Sequence, residues 1–211
     1  MIIRDKDEFD WYTYTRDYYE KQMTTSPFRH ILKNFSIIDG ELSFHGNVCP
    51  NHAEIYNQVY SLGVKSVYEC GFGGGQHLMN IYEIMRERGV DIEIGGCDIS
   101  EEMIDMGMRL FNLDKYGFLG NLQIKDFSIP LLPDEVVKYD FVYAHAVTMH
   151  LSLANCRRFL ENMKLISNKY VFLVENFAAH DYDGIMKEVF PNYTKTITHK
   201  YIPYGVLLTK K

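Results

Sequence analysis

The sequence predicts an α/β fold in which a mostly parallel sheet is covered by helices on both faces. Short apolar runs of strand length alternate with segments of helical periodicity over most of the chain. A glycine-rich turn, GFGGGQ, directly follows the first of these runs. Parallel strands that are buried on both faces need a helix in each connection, and this alternation provides one. Ligands of such sheets bind beyond the carboxyl ends of the strands, so the residues after each strand are the candidates for function.

Strands and helices alternate regularly from residue 52 onward. Strands are predicted at residues 65–70, 91–97, 122–126, 139–144, 170–174, 194–201 and 204–209. Helices are predicted at residues 52–62, 76–88, 100–110, 181–190 and in the segment that follows Ser152. Gly63 and Gly89 end the first two helices, and Ser100 and Ser152 are expected to be the N-caps of the next two. The last two strands form a hairpin-like pair.

Residues 1–50 differ from the rest and are expected to form a cap or lid over a domain of residues 51–211. The segment FDWYTYTRDYY has aromatic side chains at six of its eleven positions. Their spacing fits short helices poorly, so an irregular segment is expected.

The composition argues against a nucleic-acid or membrane partner. The formal net charge is −6, whereas binding to phosphate backbones or anionic surfaces uses basic patches. No apolar run is long enough to cross a bilayer, and the first ten residues are too polar for a secretory signal. The four cysteines are scattered without a C-x-x-C pair. This favours reduced thiols in a cytoplasmic protein over a disulfide framework or a zinc–cysteine site.

The glycine-rich turn differs from both common phosphate-binding loops. A loop of the type G-x-x-x-x-G-K-[ST] needs a Lys and a Ser or Thr, and neither follows Gly75. The dinucleotide pattern G-x-G-x-x-G matches Gly71 and Gly73 but reaches Gln76 at its third glycine. The strand also ends in Glu69, which would repel a pyrophosphate at the same turn.

The pattern E-x-G-x-G-x-G, formed by Glu69, Gly71, Gly73 and Gly75, resembles the first motif of the class I S-adenosylmethionine-dependent methyltransferases. The resemblance implies that these residues bind S-adenosyl-L-methionine, whose ammonium and sulfonium groups suit a carboxylate. The glycines allow the backbone to approach this methyl donor closely. It also implies the family's Rossmann-like fold, with a mostly parallel seven-stranded sheet and an antiparallel last strand.

Two further segments resemble the family's second and third motifs, each at the end of a predicted strand. In GGCDISEEM, the resemblance implies that Asp98 accepts hydrogen bonds from the ribose hydroxyls, with Ile99 and Met103 also at the donor. In QIKDFSIPLLP, it implies that Asp126 faces the adenine amino group, while Phe127 or Ile99 packs on the ring.

The fourth motif, YDFVYAHAVTMHL, opens with Asp140 and brings His145 to the end of the fourth predicted strand. The resemblance places His145 beside the methyl donor, either as a contact to it or as the base that deprotonates an acceptor hydroxyl. His150 is a second candidate base, with packing or helix capping as its alternative role. Glu175, at the end of the fifth strand, is the third candidate. The motifs together cover roughly residues 52–176.

The pair Glu175-Asn176 resembles the Asp-Asn pair of the metal-dependent catechol-type O-methyltransferases. Together with His145 it could hold a divalent metal, but a histidine in place of the family's acidic residue weakens the case for magnesium. A metal is therefore not the favoured interpretation. The histidines without partner spacing receive no catalytic role: His30, His45, His52, His77 and His199.

The acceptor is inferred from a second resemblance. The compact size and the segments MHLS and LVEN resemble small methyltransferases that decorate glycans, in bacterial polysaccharide clusters and in large algal viruses. This implies O-methylation of a sugar hydroxyl, such as that of rhamnose. The aromatic residues near the N-terminus could contact a sugar or form an ordinary packed cap. Two alternatives stay open: an N- or O-methyltransferase with another small-molecule acceptor, and a non-catalytic binding protein on the same scaffold. The oligomeric state is not predicted.

Overall fold

The computed structural model describes Lys21 and residues 35–45, 48–199 and 204–211. The strands in this part of the chain are β1 (Phe35–Ile38), β2 (Glu41–Phe44), β3 (Ser66–Cys70), β4 (Glu93–Asp98), β5 (Leu122–Ile124), β6 (Tyr139–His145), β7 (Ser167–Glu175), β8 (Tyr193–His199) and β9 (Tyr204–Lys210). The α-helices are α1 (Pro50–Leu62), α2 (Gln76–Glu87), α3 (Glu101–Phe111), α4 (Leu153–Ile166) and α5 (Tyr182–Val189).

Seven strands form one sheet in the order β5-β4-β3-β6-β7-β9-β8. All neighbouring pairs from β5 to β7 are parallel, whereas β9 is antiparallel to both β7 and β8. The strand order reverses between β3 and β6, which creates a crevice beyond the carboxyl ends of these strands. The predicted α/β fold, with a mostly parallel sheet and an antiparallel last strand, is confirmed.

Helices cover both faces of the sheet, and the alternation of side chains along β6 shows how. Phe141 and Tyr143 lie in the apolar core that α1, α2 and α3 complete, whereas Val142 and Ala144 lie in the core under α4 and α5. Successive side chains of a strand point to opposite faces, so one apolar run supplies both cores.

The described part of the predicted cap contains a β-hairpin that the sequence analysis does not predict. Strands β1 and β2 pair through a turn at Asp39 and Gly40, both with positive φ, as a two-residue hairpin turn requires. The Tyr60 hydroxyl of α1 donates to the Gly40 carbonyl oxygen at 2.8 Å. The hairpin is therefore attached to the main domain. The aromatic segment FDWYTYTRDYY lies outside the described residues.

Most predicted boundaries agree with the structure to within three residues. Helix α1 begins at Pro50 rather than at residue 52, because proline is well suited to the first turn of a helix. All four cysteines are free thiols, and three of them are buried. Among the residues that the structure describes, none of the helices combines the length and apolar character that a bilayer span requires.

Candidate active site

A cavity of about 240 Å³ opens at the carboxyl ends of β3, β4 and β6. Most of the residues singled out in the sequence form its wall: Gly71, Gly73, Asp98, Ile99, Met103, Asp126, Phe127, His145 and His150. The remaining four lie outside the wall: Glu69, Gly75, Glu175 and Asn176. The topology thus gathers the ends of separate strands at one crevice.

The glycine turn after β3 is tied to β4 and closely approached by the loop after β6. The Gly71 amide donates to the Cys97 carbonyl oxygen at 2.7 Å. Gly71 has a φ of +80°, and a Cβ atom there would lie 2.5 Å from Val147 Cγ2. Gly75, also at positive φ, is the N-cap of α2. Only glycine combines this backbone conformation with the contact to Val147.

Asp98 connects the end of β4 to the glycine turn. Its carboxylate accepts hydrogen bonds from the Gly73 amide at 2.9 Å and from the Ser100 amide at 3.0 Å, one on each oxygen. Burial raises the pKa of Asp98 to about 6, and these backbone hydrogen bonds oppose the shift. The carboxylate is therefore mostly ionised at neutral pH. Each oxygen has a further lone pair, which suits it to hydroxyl donors of a ligand.

Glu69 lies below the glycine turn rather than in the cavity wall. Its side chain is only 1% exposed. Within the described residues, neither Glu69 Oε2 nor the neighbouring Tyr143 hydroxyl makes a hydrogen bond of normal geometry. Burial raises the pKa of Glu69 well above its ordinary value, and the nearby Tyr143 hydroxyl opposes the shift. Since Glu69 lies outside the cavity wall, its direct contact with a cationic ligand stays a prediction.

The loop after β5 is held in the cavity wall by Asn162 of α4. Asn162 Nδ2 donates to the carbonyl oxygens of Phe127 at 2.8 Å and Ile129 at 2.7 Å. The Asp126 carboxylate accepts from the amide and the hydroxyl of Ser128 at 2.9 and 2.7 Å. The role of Asn162 could not be predicted from the sequence, because a polar residue within an amphipathic helix gives no sign of a distant loop.

Glu175 holds the backbone of the segment that leads to His150. Its Oε1 accepts from the amides of Val147 and Thr148 at 3.0 Å each, and its Oε2 accepts from the Met149 amide at 3.4 Å. Burial raises the pKa of Glu175 to about 7, and the bonds to these amides oppose the shift. Since the side chain is fully buried and outside the cavity wall, its position favours a role in positioning the segment over that of a base.

The metal site considered for His145, Glu175 and Asn176 is not assembled in the cavity wall. Of the three, His145 alone lines the cavity. Asn176 Oδ1 instead accepts from the Ala178 amide at 3.2 Å, within the turn after β7. Glu175 and Asn176, at the end of β7, therefore each stabilise a nearby backbone segment by accepting hydrogen bonds from its amides.

Ala146, directly after β6, has an unfavourable backbone conformation. Its φ is +55°, in the left-handed region, although it has a Cβ atom. Its amide donates to the Val174 carbonyl oxygen at 2.9 Å, which continues the pairing of β6 with β7. Such residues persist where the surrounding structure holds them, and they are concentrated at functional sites. Ala146 itself lines the cavity.

His145 belongs to a cluster with two histidines that the sequence analysis sets aside. His52 comes from the first turn of α1 and His77 from the first turn of α2, and both are buried. His77 Nε2 and His145 Nδ1 are 3.2 Å apart. One ring nitrogen of each histidine lies within 4.8 Å of the others. The three side chains also line the cavity, a position of His52 and His77 that their spacing in the sequence does not indicate.

His150 lines the same cavity outside this cluster. Burial lowers the pKa of His150 below its ordinary value. The imidazole is therefore mostly neutral at neutral pH, which is the form that accepts a proton.

Comparisons with known proteins identify the fold. No protein-family model matches the sequence, and no curated protein matches it. The methyltransferase domain of bacterial CtHen1-CN is 13% identical, with a TM-score of 0.60 over 76% of this chain and 97% of that one. Magnesium protoporphyrin IX methyltransferase from Synechocystis PCC 6803 with bound SAM is 14% identical, with a TM-score of 0.56 over 93% and 97% of the two chains. The plantazolicin methyltransferase BpumL is 12% identical, with a TM-score of 0.55 over 76% and 81%.

At identities this low, the structural similarity shows a common fold. The chemistry has to be inferred from the residues of the site. The Rossmann-like methyltransferase fold that the sequence motifs imply is therefore confirmed.

Proposed function

We propose that the chain is an S-adenosylmethionine-dependent O-methyltransferase that acts on a hydroxyl of a small polar acceptor. The proposal rests on one observation: the same cavity is lined by residues suited to the methyl donor and by histidines that can accept a proton. Asp98 and His145 end strands on opposite sides of β3, and the glycine turn after β3 lies in the same wall. The fold shared with three methyltransferases supports the same reaction.

The residues of one wall suit S-adenosyl-L-methionine. In the proposal, Asp98 accepts the ribose hydroxyls, and the backbone of Gly71 and Gly73 approaches the methionine portion. Phe127 and Ile99 provide apolar contacts for the adenine ring, which Asp126 recognises at its amino group. When bound, the donor supplies an electrophilic methyl group, and its transfer to the acceptor oxygen leaves a neutral thioether.

We assign removal of the acceptor proton to His150. A hydroxyl is a poor nucleophile until its proton leaves, so an O-methyltransferase needs a base near the acceptor. The neutral imidazole of His150 meets this need at neutral pH. His145 is less suited, because its Nδ1 is within hydrogen-bond distance of His77 Nε2. Glu175 supports His150 by holding the preceding backbone.

A sugar hydroxyl is the acceptor that we propose to test first. Its basis is the resemblance of the MHLS and LVEN segments to glycan-decorating methyltransferases. The compared structures include proteins named for a porphyrin and for plantazolicin, so the fold leaves the acceptor open. The aromatic segment proposed as a lid lies outside the described residues. We also propose a cytoplasmic location, which the four free thiols suit.

Calorimetric titration with S-adenosyl-L-methionine tests the donor, and a labelled-donor screen against sugars, glycans and small amines tests the acceptor. The proposal expects donor binding, followed by label transfer to a hydroxyl compound. Failure to bind at millimolar donor would overturn it and favour a scaffold protein without methyl transfer. Transfer to amines alone would replace it with an N-methyltransferase.

Replacing His150 with Gln tests the base. General-base catalysis contributes about 10²–10⁴-fold, so kcat is expected to fall by about that factor while the donor dissociation constant stays within about twofold. The pH dependence of kcat should also lose its acidic limb. An unchanged kcat and pH profile in His150→Gln would show that another group takes the proton.

A further inference from the structure

The histidine cluster of His52, His77 and His145 has the composition of a metal site. We propose that it binds one divalent transition-metal ion and presents an open coordination position to the cavity for the acceptor oxygen. The metal binding stands on geometry alone. Only the role of the open position rests on the proposed methyl transfer.

The three imidazole rings lie close together, and one ring nitrogen of each is within 4.8 Å of the others. The ring centroids are 4.5 Å apart for His52 and His77, 5.1 Å for His77 and His145, and 5.2 Å for His52 and His145. All three pairs are close to edge-on, with interplanar angles of 78° to 86°. Nitrogen ligands about 2.0–2.1 Å from a tetrahedral ion are about 3.4 Å from one another. The 3.2 Å between His77 Nε2 and His145 Nδ1 already matches this separation.

His77 also has the support that metal-binding histidines usually have on their second nitrogen. Its Nδ1 lies 2.8 Å from the Tyr56 hydroxyl, and that hydroxyl accepts from Asn80 Nδ2 at 2.9 Å. Tyr56 and Asn80 are both buried. In the metal-bound form Nδ1 would carry the proton and donate to the Tyr56 hydroxyl, which would fix the ring orientation and leave the Nε2 lone pair for the ion.

The ligand set selects the kind of ion. Among the described residues, the cluster consists of histidines alone, without a carboxylate. Imidazole nitrogen suits Zn²⁺, Fe²⁺, Co²⁺ and Ni²⁺, whereas Mg²⁺ and Ca²⁺ prefer oxygen. Three histidines with an open fourth position are also typical of catalytic zinc. We therefore expect Zn²⁺ to bind and Mg²⁺ not to.

The three imidazole ligands are neutral and do not offset the charge of the divalent ion. Its full positive charge therefore acts on the fourth ligand. An oxygen bound there becomes more acidic, which helps an acceptor hydroxyl lose its proton to His150 in the same cavity.

A metal-free cluster, in which His77 and His145 share a proton through a hydrogen bond, is the competing explanation of the 3.2 Å distance. The two explanations predict different amounts of metal bound to the protein. To separate them, the full chain is produced without a polyhistidine tag, stripped by chelator, dialysed against Zn²⁺ or Co²⁺, and desalted. Metal content is then measured by mass spectrometry. We expect about one ion per chain and the intense visible absorption of four-coordinate Co²⁺.

Matched variants locate the ion. His145→Gln, at the partly exposed ligand, should lose the bound metal, whereas His150→Gln, in the same cavity but outside the cluster, should keep it. Tyr56→Phe keeps the ring and removes the hydroxyl beside His77 Nδ1, so it should weaken Co²⁺ affinity by about 10–100-fold. Circular dichroism checks that each variant is folded.

The outcomes distinguish this inference from the proposed function. Wild-type protein without stoichiometric metal, or equal metal in His145→Gln, overturns the site. Donor binding is measured separately on the metal-free chain. Donor binding without metal binding would remove the metal site and leave the methyltransferase proposal intact. Stoichiometric metal at this cluster without donor binding would do the reverse.

Discussion

At the scale of single residues, Gly71 sets how closely the loop after β6 approaches the glycine turn. Val147 occupies the position that a Cβ atom of residue 71 would take, and its backbone amide donates a hydrogen bond to Glu175. The loop therefore cannot move away without giving up this partly buried hydrogen bond. This chain of contacts joins the glycine turn to the segment that includes His150.

Replacing Gly71 with Ala should destabilise the protein more than the same change at Gly89. Both glycines have positive φ, but a Cβ atom at Gly89 would meet nothing within 4 Å. Gly89→Ala should therefore cost only the backbone strain, about 1–2 kcal/mol. Gly71→Ala adds the collision with Val147, a further 1–3 kcal/mol or so. Urea unfolding measures both variants, and equal destabilisation would contradict the contact with Val147.

Donor affinity should fall as pH is lowered through about 6. The pKa of Asp98 is raised to about 6, and protonation below it removes the charge that strengthens hydrogen bonds from the donor's hydroxyls. Asp98→Asn should weaken donor binding about 10–100-fold at neutral pH, the equivalent of roughly 1.5–3 kcal/mol. The variant should also lose most of the pH dependence.

Calorimetric titration across this pH range provides the measurement, and Asp114→Asn is the control. Asp114 is exposed and outside the cavity wall, so its replacement removes the same charge without touching the site. Equal effects of the two substitutions would place the donor elsewhere.

At the scale of elements, helix α3 packs directly on the glycine turn through Gly107. A Cβ atom at Gly107 would lie 2.5 Å from the Gly74 carbonyl oxygen and 2.5 Å from Leu113 Cδ1. The first of these is a backbone atom, which a rotamer change cannot move. The helix that begins after Asp98 thus also fixes the far side of the turn.

Gly107→Ala should destabilise the protein, although alanine is normally better in a helix. At a helical position without close contacts, replacing Gly with Ala would raise the free energy of unfolding by about 0.8–1.0 kcal/mol. Here the contact with the turn reverses the sign, and overpacking of this kind costs about 1–3 kcal/mol. Thermal unfolding compares it with Gly120→Ala, where nothing lies within 4 Å. A gain in stability for Gly107→Ala would refute the tight packing of α3.

The sequence predicts the elements well because each is encoded locally. The apolar run before Gly71 is long enough for one buried strand, and β3 extends from Ser66 to Cys70. The hairpin of β1 and β2 escaped prediction despite its Asp39-Gly40 turn, since the aromatic composition of residues 1–50 suggested an irregular cap. Asp98 and Asp126 were found from the sequence because each follows a strand, and both line the cavity. The depth of Glu69 below the turn could not be predicted from the sequence, since it depends on packing.

At the scale of the whole molecule, the cavity depends on contacts that no local pattern reveals. His77 and His145 are 68 residues apart in the chain, and they meet because β3 and β6 are neighbours in the sheet. His52 joins them from α1, on the same face of the sheet as α2. Sequence spacing gives no sign of such a cluster, whereas the strand order determines it.

The donor should stabilise the whole fold, because its proposed contacts come from several strand ends. At about a hundredfold excess over its dissociation constant, it should add about 2.7 kcal/mol, or about 5–10 °C in melting temperature. The Asp98→Asn variant at the same donor concentration should show a clearly smaller shift. Differential scanning fluorimetry makes this comparison, and the absence of a shift in the wild type would contradict donor binding to the native state.

Strand β9 lies between β7 and β8 although it follows both in the chain. During synthesis, β7 and β8 therefore leave the ribosome before β9, the strand that pairs with both. During that interval the nascent chain presents an unpaired edge of β7, whose buried apolar residues are suited to pairing with other chains. Pairing of residues 204–210 with β7 closes this edge, so incompletely folded chains are expected to associate through β7 until β9 is in place.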